Sequence, residues 1–274
     1  MARYGMIAGN GRFPVLALES ARKLGVEVVV IAIEEEASKD LEALAAKTYW
    51  ISLGALSKLV DICKTEGISE LMMCGQVKHT KIFSSIRPDW RLFKLLASLR
   101  EKNTEALIGG VAKVLADEGI LLVDSTLLLK DLLAPVGVFT KRKPDAEELK
   151  QLTYGRDIAN ALAGFDVGQS VVIADRACVA LEAMEGTDAI LRRAHELSGG
   201  KPQLLVKSSR RRKHLLFDVP VLGSATIDVM RDTNTVAATM DAGRTLLLDR
   251  AELVEKANRY GISLVGVAAS QSVS

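Results

Sequence analysis

The sequence predicts an α/β protein of two domains, each built on its own sheet, with a ligand cleft between them. Along the first half, short runs rich in β-branched residues alternate with amphipathic stretches of helical spacing. Parallel strands need crossovers of this kind, so the rhythm points to a mostly parallel, Rossmann-like sheet. The chain has 274 residues, long for one compact core and natural for two of ordinary size. Between Ala134 and Pro144 the pattern gives way to Pro, Gly and charge, where a linker is expected. The expected domains are therefore residues 1–133 and 145–274, joined by 134–144. The second is also α/β, with strand directions left open.

Arg3 to Ala8 and Val26 to Ile33 read as strands, both short and rich in apolar residues. Pro14 to Leu24 lies between them with helical spacing, and Pro14 suits a first turn. Leu56 to Glu66 is expected helical and Glu70 to Cys74 a buried strand. Helices follow at Arg91 to Leu99 and Thr104 to Asp117, then a strand at Ile120 to Val123. Beyond the linker, Asp145 is expected to cap a helix over Ala146 to Leu162. Ser170 to Ala174 and Cys178 to Leu181 form a hairpin turning at Asp175-Arg176. Thr187 to Leu197 is helical and Leu204 to Lys207 a strand. The chain closes with strand Thr245 to Leu248, helix Arg250 to Tyr260 and strand Ile262 to Val267.

Composition narrows the function classes. Hydrophobic residues make up 49% and charged residues 26%, as in a globular protein. With a net charge of +2 and 4% aromatics, neither a basic field nor stacking platforms favour nucleic acid, and none is expected as partner. Three scattered cysteines resemble cytosolic thiols more than a disulfide framework or a zinc site. Met1-Ala2-Arg3-Tyr4 leads into a strand with no signal-peptide pattern, and no apolar run approaches the roughly 20 residues of a spanning helix. The expected location is the cytosol.

Three strand-to-loop junctions concentrate the groups that do chemistry. Gly5-Met-Ile-Ala-Gly9-Asn10-Gly11 ends the first strand. Glycines there fit either a tight turn or close approach of backbone amides to a phosphate or base edge. The third glycine of a dinucleotide fingerprint is missing. Cys74-Gly75-Gln76-Val77-Lys78-His79 ends another strand, so Gln76 and Lys78 are expected beside Asn10 at the carboxyl edge. Glu185-Gly186-Thr187-Asp188 reads as a capped helix start, but capping leaves Glu185 unexplained. Glu182 and Glu185, three apart, share a face on a helical turn and oppose each other on a strand. Paired carboxylates there suit Mg²⁺, which takes oxygen ligands and keeps several waters.

Asp218 is the sharpest case. It stands in Phe217-Asp218-Val219-Pro220-Val221-Leu222-Gly223, an apolar run. Buried there, it needs a metal, a cation or a turn amide; at an edge beside proline, it faces water. Just upstream, Lys207 and Arg210-Arg211-Arg212-Lys213 form the one dense basic cluster, either a solvated face or a diphosphate site.

These junctions, in their order, resemble the bacterial UDP-2,3-diacylglucosamine pyrophosphatases of the non-metallophosphoesterase type. The resembling pieces are Gly5 to Pro14, Asp166 to Val172, Ala183 to Ala189, Phe217 to Gly223 and Asp241 to Arg250, nearly end to end. The resemblance implies hydrolysis of UDP-2,3-diacylglucosamine to UMP and 2,3-diacylglucosamine 1-phosphate in lipid A synthesis. It also implies a divalent cation (Mg²⁺, or Mn²⁺ in its place), a homodimer and peripheral contact with the inner membrane. Carried over residue by residue, Asp218 becomes the essential acid, with Asp218, Glu185 and Asp188 near the metal. Gly9, Asn10 and Gly11 fall to the nucleotide, and Gly186 and Thr187 to the diphosphate. From position and charge rather than the motif, Gln76 is expected in the same cleft as Asn10, and Lys207, Arg210 and Lys213 are expected to add cations at the phosphates. One departure stands out. The family pattern Lys-Pro-x-Gln-(Asp or Glu)-x-Arg is here Arg210 to Leu216, with His214 for the acid and Leu216 for the arginine. Leucine cannot replace a guanidinium at a phosphate. The alternative expectation is a relative with altered or lost catalysis that binds a nucleotide or lipid precursor.

Overall fold

The computed structural model describes residues 3–77, 88–99, 104–165, 167–209 and 219–268. They form two compact units, divided between Leu129 and Lys130.

The first unit is a five-stranded parallel sheet. Its strands are β1 (Arg3–Ala8), β2 (Glu27–Ile33), β3 (Lys47–Ile51), β4 (Glu70–Cys74) and β5 (Leu121–Leu122), in the order β3-β2-β1-β4-β5. Helix α1 (Phe13–Leu24) starts on Pro14, whose missing N–H costs nothing in a first turn. It ends where Gly25 takes a left-handed φ of 66° and returns its N–H to Ala21 and Arg22. Helices α2 (Leu56–Thr65), α3 (Trp90–Ser98) and α4 (Thr104–Asp117) complete the crossovers. Val29 and Ile31 of β2, Leu71 of β4, Leu59 and Cys63 of α2 and Leu115 of α4 pack into one apolar core. The chain runs from β1 outward to β2 and β3, then jumps back to β4. Strand order therefore reverses between β1 and β4, the place where open α/β sheets bind ligands.

The second unit carries a six-stranded mixed sheet. In chain order its strands are β6 (Gly137–Val138), β7 (Ser170–Ala174), β8 (Ala177–Leu181), β9 (Gln203–Lys207), β11 (Thr235–Ala242) and β13 (Ser263–Ala268). Across the sheet they run β6-β13-β11-β9-β7-β8, with β9, β11 and β13 parallel and the outer strands antiparallel. A separate pair joins β10 (Val221–Leu222) to β12 (Leu246–Leu247). Helix α5 (Ala146–Gly164) opens with a complete capping box, Asp145 with Glu148, so the expected cap is in place. The β7–β8 hairpin turns at Asp175 and Arg176, both with positive φ as a type I′ turn requires. Helices α6 (Thr187–Leu197), α7 (Ser224–Asp232) and α8 (Arg250–Arg259) complete the unit. Val172, Ile190, Leu191, Leu205, Ala238 and Leu264 lie in its largest apolar core.

Five of these elements depart from the sequence expectation: β3, β6, β10, α7 and β11 were not anticipated. β11 is a central strand, yet its Thr-Val-Ala-Ala-Thr-Met-Asp-Ala run is poor in good strand formers; burial on both faces holds it. The stretch from Ala134 to Pro144 is built into the second unit. It supplies β6, which pairs with β13 through Gly137 and Val138.

Candidate functional site

At the switch point of the first unit, two loops lock together. Gly9 N–H donates to Cys74 O at 2.8 Å, Asn10 N–H to Gln76 O at 2.8 Å, and Gln76 N–H to Asn10 O at 3.0 Å. A Cβ on Gly9 would lie 2.5 Å from Gln76 O, and one on Gly75 would lie 2.7 Å from Asn10 O. The glycines thus serve backbone-to-backbone packing of the two loops, not an open amide cradle. Gly11 has a φ of 99° and open space around it, so only glycine turns there at low cost. The side chains of Asn10 and Gln76 are both exposed, side by side at the carboxyl edge. Helix α1 begins there without a side-chain cap, leaving its first amides for an anion. Lys78 and His79 lie outside the described residues.

In the second unit a polar cluster occupies the carboxyl edge of β9. The register sets Ser170 of β7 opposite Lys207, and Met240 of β11 on its other side. Strand alternation turns Lys207 toward α6 and its neighbour Ser208 toward α5. On the α6 side, Lys207 is buried and its ammonium donates to Ser170 Oγ at 3.1 Å and Thr187 Oγ1 at 2.9 Å. Thr187 passes its own proton to Glu182 Oε1 at 3.0 Å. Glu182 is 8% exposed, and its Oε2 has no partner among the described residues. Asp188 Oδ1 is likewise buried without one. Gly186, with a φ of 86°, opens α6 without a side-chain cap. A fixed ammonium, two open carboxylate oxygens and an uncapped helix start therefore share one edge.

Ser208 and Asp241 anchor the α5 side. Asp241 is buried and accepts from Arg156 Nη2 at 2.8 Å, from the Ser209 amide and hydroxyl at 2.7 Å each, and from Ser208 Oγ at 3.3 Å. Ser208 also donates to Asn160 Oδ1 at 2.6 Å. This network pins the last two described residues before the segment that carries Asp218. Asp218, Arg210 and Lys213 themselves lie outside the described residues, as do His214 and Leu216 of the divergent stretch.

Of the two glutamates three apart, Glu182 enters the cluster and Glu185 does not. Glu185 lies on the turn beyond β8, where it accepts from the Ala183 amide and pairs with Arg193 at 2.8 Å. Its own amide, then that of Ala183 and the Arg193 guanidinium, hold its carboxyl below the usual range. Both its oxygens are thus engaged by protein, which leaves Glu182 and Asp188 the better oxygen donors. Sequence reading missed Ser170, Arg156, Asn160 and Asp241 as site neighbours. For Asp241 a signal existed: an acid at the end of an apolar run, just before Gly243.

No group of three or more His, Cys, Asp or Glu converges on a metal position among the described residues. The donors that exist still suit a hard cation, since Mg²⁺ commonly takes one or two carboxylates, several waters and substrate phosphates. Among the described residues no helix is long and apolar enough to cross a membrane.

Comparison with known proteins sets this geometry in a family. The LpxI N-terminal domain model matches residues 3–132 and the LpxI C-terminal domain model residues 135–265. A curated relative, the UDP-2,3-diacylglucosamine pyrophosphatase LpxI of Caulobacter vibrioides, is 27% identical over 97% of this chain and 98% of its own length. Solved structures offer only faint likeness. The biotin carboxylase domain of a thermophilic 2-oxoglutarate carboxylase has a TM-score of 0.29 at 13% identity, over 64% of this chain and 35% of that one. Phosphoribosylglycinamide synthetase from Anaerococcus prevotii has a TM-score of 0.28 at 12% identity, over 65% and 38%. Likeness at that level bears on neither fold nor chemistry.

Proposed function

Because this chain belongs to the LpxI family, we propose that it is a hydrolase cleaving the diphosphate of UDP-2,3-diacylglucosamine. Its products are UMP and 2,3-diacylglucosamine 1-phosphate. The observation that supports this best is the relay from Lys207 through Thr187 to Glu182 beside the uncapped start of α6. Lys207 is a buried cation held by two hydroxyls, so its charge is already oriented when a phosphate arrives. Such preorganised charge favours a transition state in which negative charge spreads over phosphoryl oxygens. The first amides of α6 add donors to the same oxygens.

Glu182 Oε2 and Asp188 Oδ1, which have no partner among the described residues, are the acceptors that could take water or a divalent cation. A bound Mg²⁺ or Mn²⁺ would supply charge neutralisation at the phosphates. Asp218, carried over from the family motif, would orient the attacking water or the cation. By themselves, Asn10 and Gln76 at the carboxyl edge of the first unit offer groups that could hydrogen-bond the polar edge of a base. Work at the inner membrane surface and pairing as a homodimer belong to the same proposal.

The test is release of UMP from the purified protein with diacylated substrate, with and without Mg²⁺ or Mn²⁺. Turnover that depends on the cation and vanishes in Asp218→Ala is expected. Nucleotide binding by calorimetry with no UMP released under any metal would replace catalysis with binding, the reading that the divergent Arg210 to Leu216 stretch favours.

A further inference from the structure

In the first unit, one helix holds its outer face open to water. Helix α3 sends Leu92 and Leu95 into the core. Leu95 sits so close to α4 that a Cβ on Gly110 would meet its Cδ1 at 2.5 Å. Asp89 fixes the start of the helix. It accepts from the Leu92 amide at 2.9 Å and from the Ser57 amide at 2.5 Å, and its own N–H donates to Gly54 O at 3.1 Å. Gly54 and Ser57 follow the carboxyl end of β3, so α3 starts at the same edge of the parallel sheet as Asn10 and Gln76. Arg91 turns back onto Glu118. Trp90, Phe93, Lys94 and Ala97, at helical spacing, share the outward face, and all four are exposed. Trp90 is 67% and Phe93 53% exposed, and their rings stack at 5.9 Å. The Lys94 ammonium lies over the Trp90 ring, 5.4 Å from its centroid. Single exposed apolar residues are ordinary, but two stacked aromatic rings on a pinned helix are not.

We propose that this face of α3 docks on an anionic phospholipid surface, with Trp90 and Phe93 seated among the headgroups and Lys94 beside the phosphates. This rests on the reading of the chain as one that works at a membrane surface. Two observations select lipid as the occupant. The first is composition: aromatic rings beside a lysine suit a helix lying in the membrane interface, where the rings leave water and the ammonium stays with the headgroups. The second is charge. Residues 78–103 carry seven lysines and arginines against two acids, in a chain whose net charge is only +2. The basic surplus is therefore concentrated in this helix and the sequence beside it. A negatively charged leaflet attracts such a stretch within a Debye length. Docking by α3 would hold the carboxyl edge of the first sheet, with Asn10 and Gln76, next to the bilayer that a diacylated substrate occupies.

The test is sedimentation of the full chain with sucrose-loaded vesicles of phosphatidylethanolamine and phosphatidylglycerol, against vesicles of phosphatidylcholine alone. Wild type should bind the anionic vesicles, bind phosphatidylcholine weakly, and lose most of its binding in high salt. Phe93→Ser and Trp90→Ser should each weaken partitioning about tenfold, and Lys94→Gln about fivefold. Unchanged urea midpoints and unchanged UMP release from detergent-dispersed substrate show fold and chemistry intact. A second measurement gives position. Trp50 and Trp90 are the only tryptophans, so in Trp50→Phe the emission comes from Trp90 alone. It should shift to the blue with anionic vesicles and be quenched by brominated lipid. If wild type sediments while Phe93→Ser binds equally well and Trp90 is not quenched, α3 is refuted as the contact and the membrane reading stands. If wild type does not bind anionic vesicles, the docking face and the membrane reading fall together, and UMP release still decides the hydrolysis separately. A drop in assembly mass in Phe93→Ser with vesicle binding unchanged would assign the face to a second copy and overturn the proposal.

Discussion

Thr187 carries more of the cluster than its size suggests. Its single hydroxyl accepts from Lys207 and donates to Glu182, so one oxygen couples a buried cation to a buried carboxylate. Valine has the same shape without the hydroxyl, and Thr187→Val leaves both charged groups a hydrogen bond short. A buried polar group left in this way costs about 1–3 kcal/mol, more when charged. Turnover should fall roughly 10²-fold, because the Lys207 ammonium proposed to meet the phosphate loses a hydroxyl that orients it. Thr187→Ser restores the hydroxyl and should recover most of the rate. Steady-state kinetics beside a urea titration separates the effects: recovery of stability but not rate in the serine variant would deny Thr187 its part in chemistry. At this scale the sequence was informative where motif and backbone coincide. Gly186-Thr187-Asp188 and Lys207 lie in one cluster, and of the two glutamates Glu182 lies in it while Glu185 pairs with Arg193. Their spacing left strand or helical turn open, and the chain leaves β8 at Leu181, turning Glu182 inward and Glu185 toward Arg193.

Elements with strong local signals were legible and those held by tertiary burial were not. Asp145 with Glu148, Gly25 after α1 and the Asp175-Arg176 turn state their roles in the sequence. β11 does not: three alanines give it little strand preference, and it exists because β9 and β13 pair with it on either side. The contact between Gly168 and Glu182, where a Cβ on Gly168 would lie 1.9 Å from Glu182 O, is equally silent in sequence, since one glycine before a strand looks like any turn. It can be tested directly. Gly168→Ala places a methyl against a backbone carbonyl that cannot rotate away, so β8 or the α5–β7 connection must shift. Overpacking of that kind costs about 1–3 kcal/mol, and a backbone obstacle puts this site at the upper end. Gly164→Ala, with open space at the end of α5, should instead gain about 0.5 kcal/mol from the smaller entropy of the unfolded chain. Urea midpoints of the two variants should move in opposite directions. Equal midpoints would mean that the 167–168 and 182 backbones do not meet as described.

Each unit has its own core, and each meets acid differently. In the first unit Glu66 is nearly enclosed, with side-chain exposure of 7%, and accepts from Lys47 Nζ at 2.6 Å, from Tyr49 and from Arg3 at 2.8 Å. The Lys47 and Tyr49 hydrogen bonds are the main causes holding its carboxyl down to about 2. Glu118, between Lys64 and Arg91, is also lowered to about 2. Both folded values lie below the ordinary 4.5. Protons thus bind the unfolded chain first, and the stabilisation is complete above about 4.5 and lost as pH falls toward 2. Asp175, Glu185 and Asp228 of the second unit are lowered too, but their side-chain exposures of 70%, 35% and 35% leave them more screened. Acid should therefore weaken the first unit more. Trp50 and Trp90 are the only tryptophans, and both belong to that unit. Fluorescence reports it alone while far-UV dichroism reports both. Between about pH 5 and pH 2.5 the urea midpoint by fluorescence should fall further than that of the last dichroism transition. Glu66→Gln, which cannot ionise, should start lower at neutral pH and flatten the fluorescence dependence, leaving the dichroism transition of the second unit in place. A fluorescence midpoint as steep in pH for Glu66→Gln as for wild type would move the acid sensitivity elsewhere, with Glu118 between its two cations the next group to substitute.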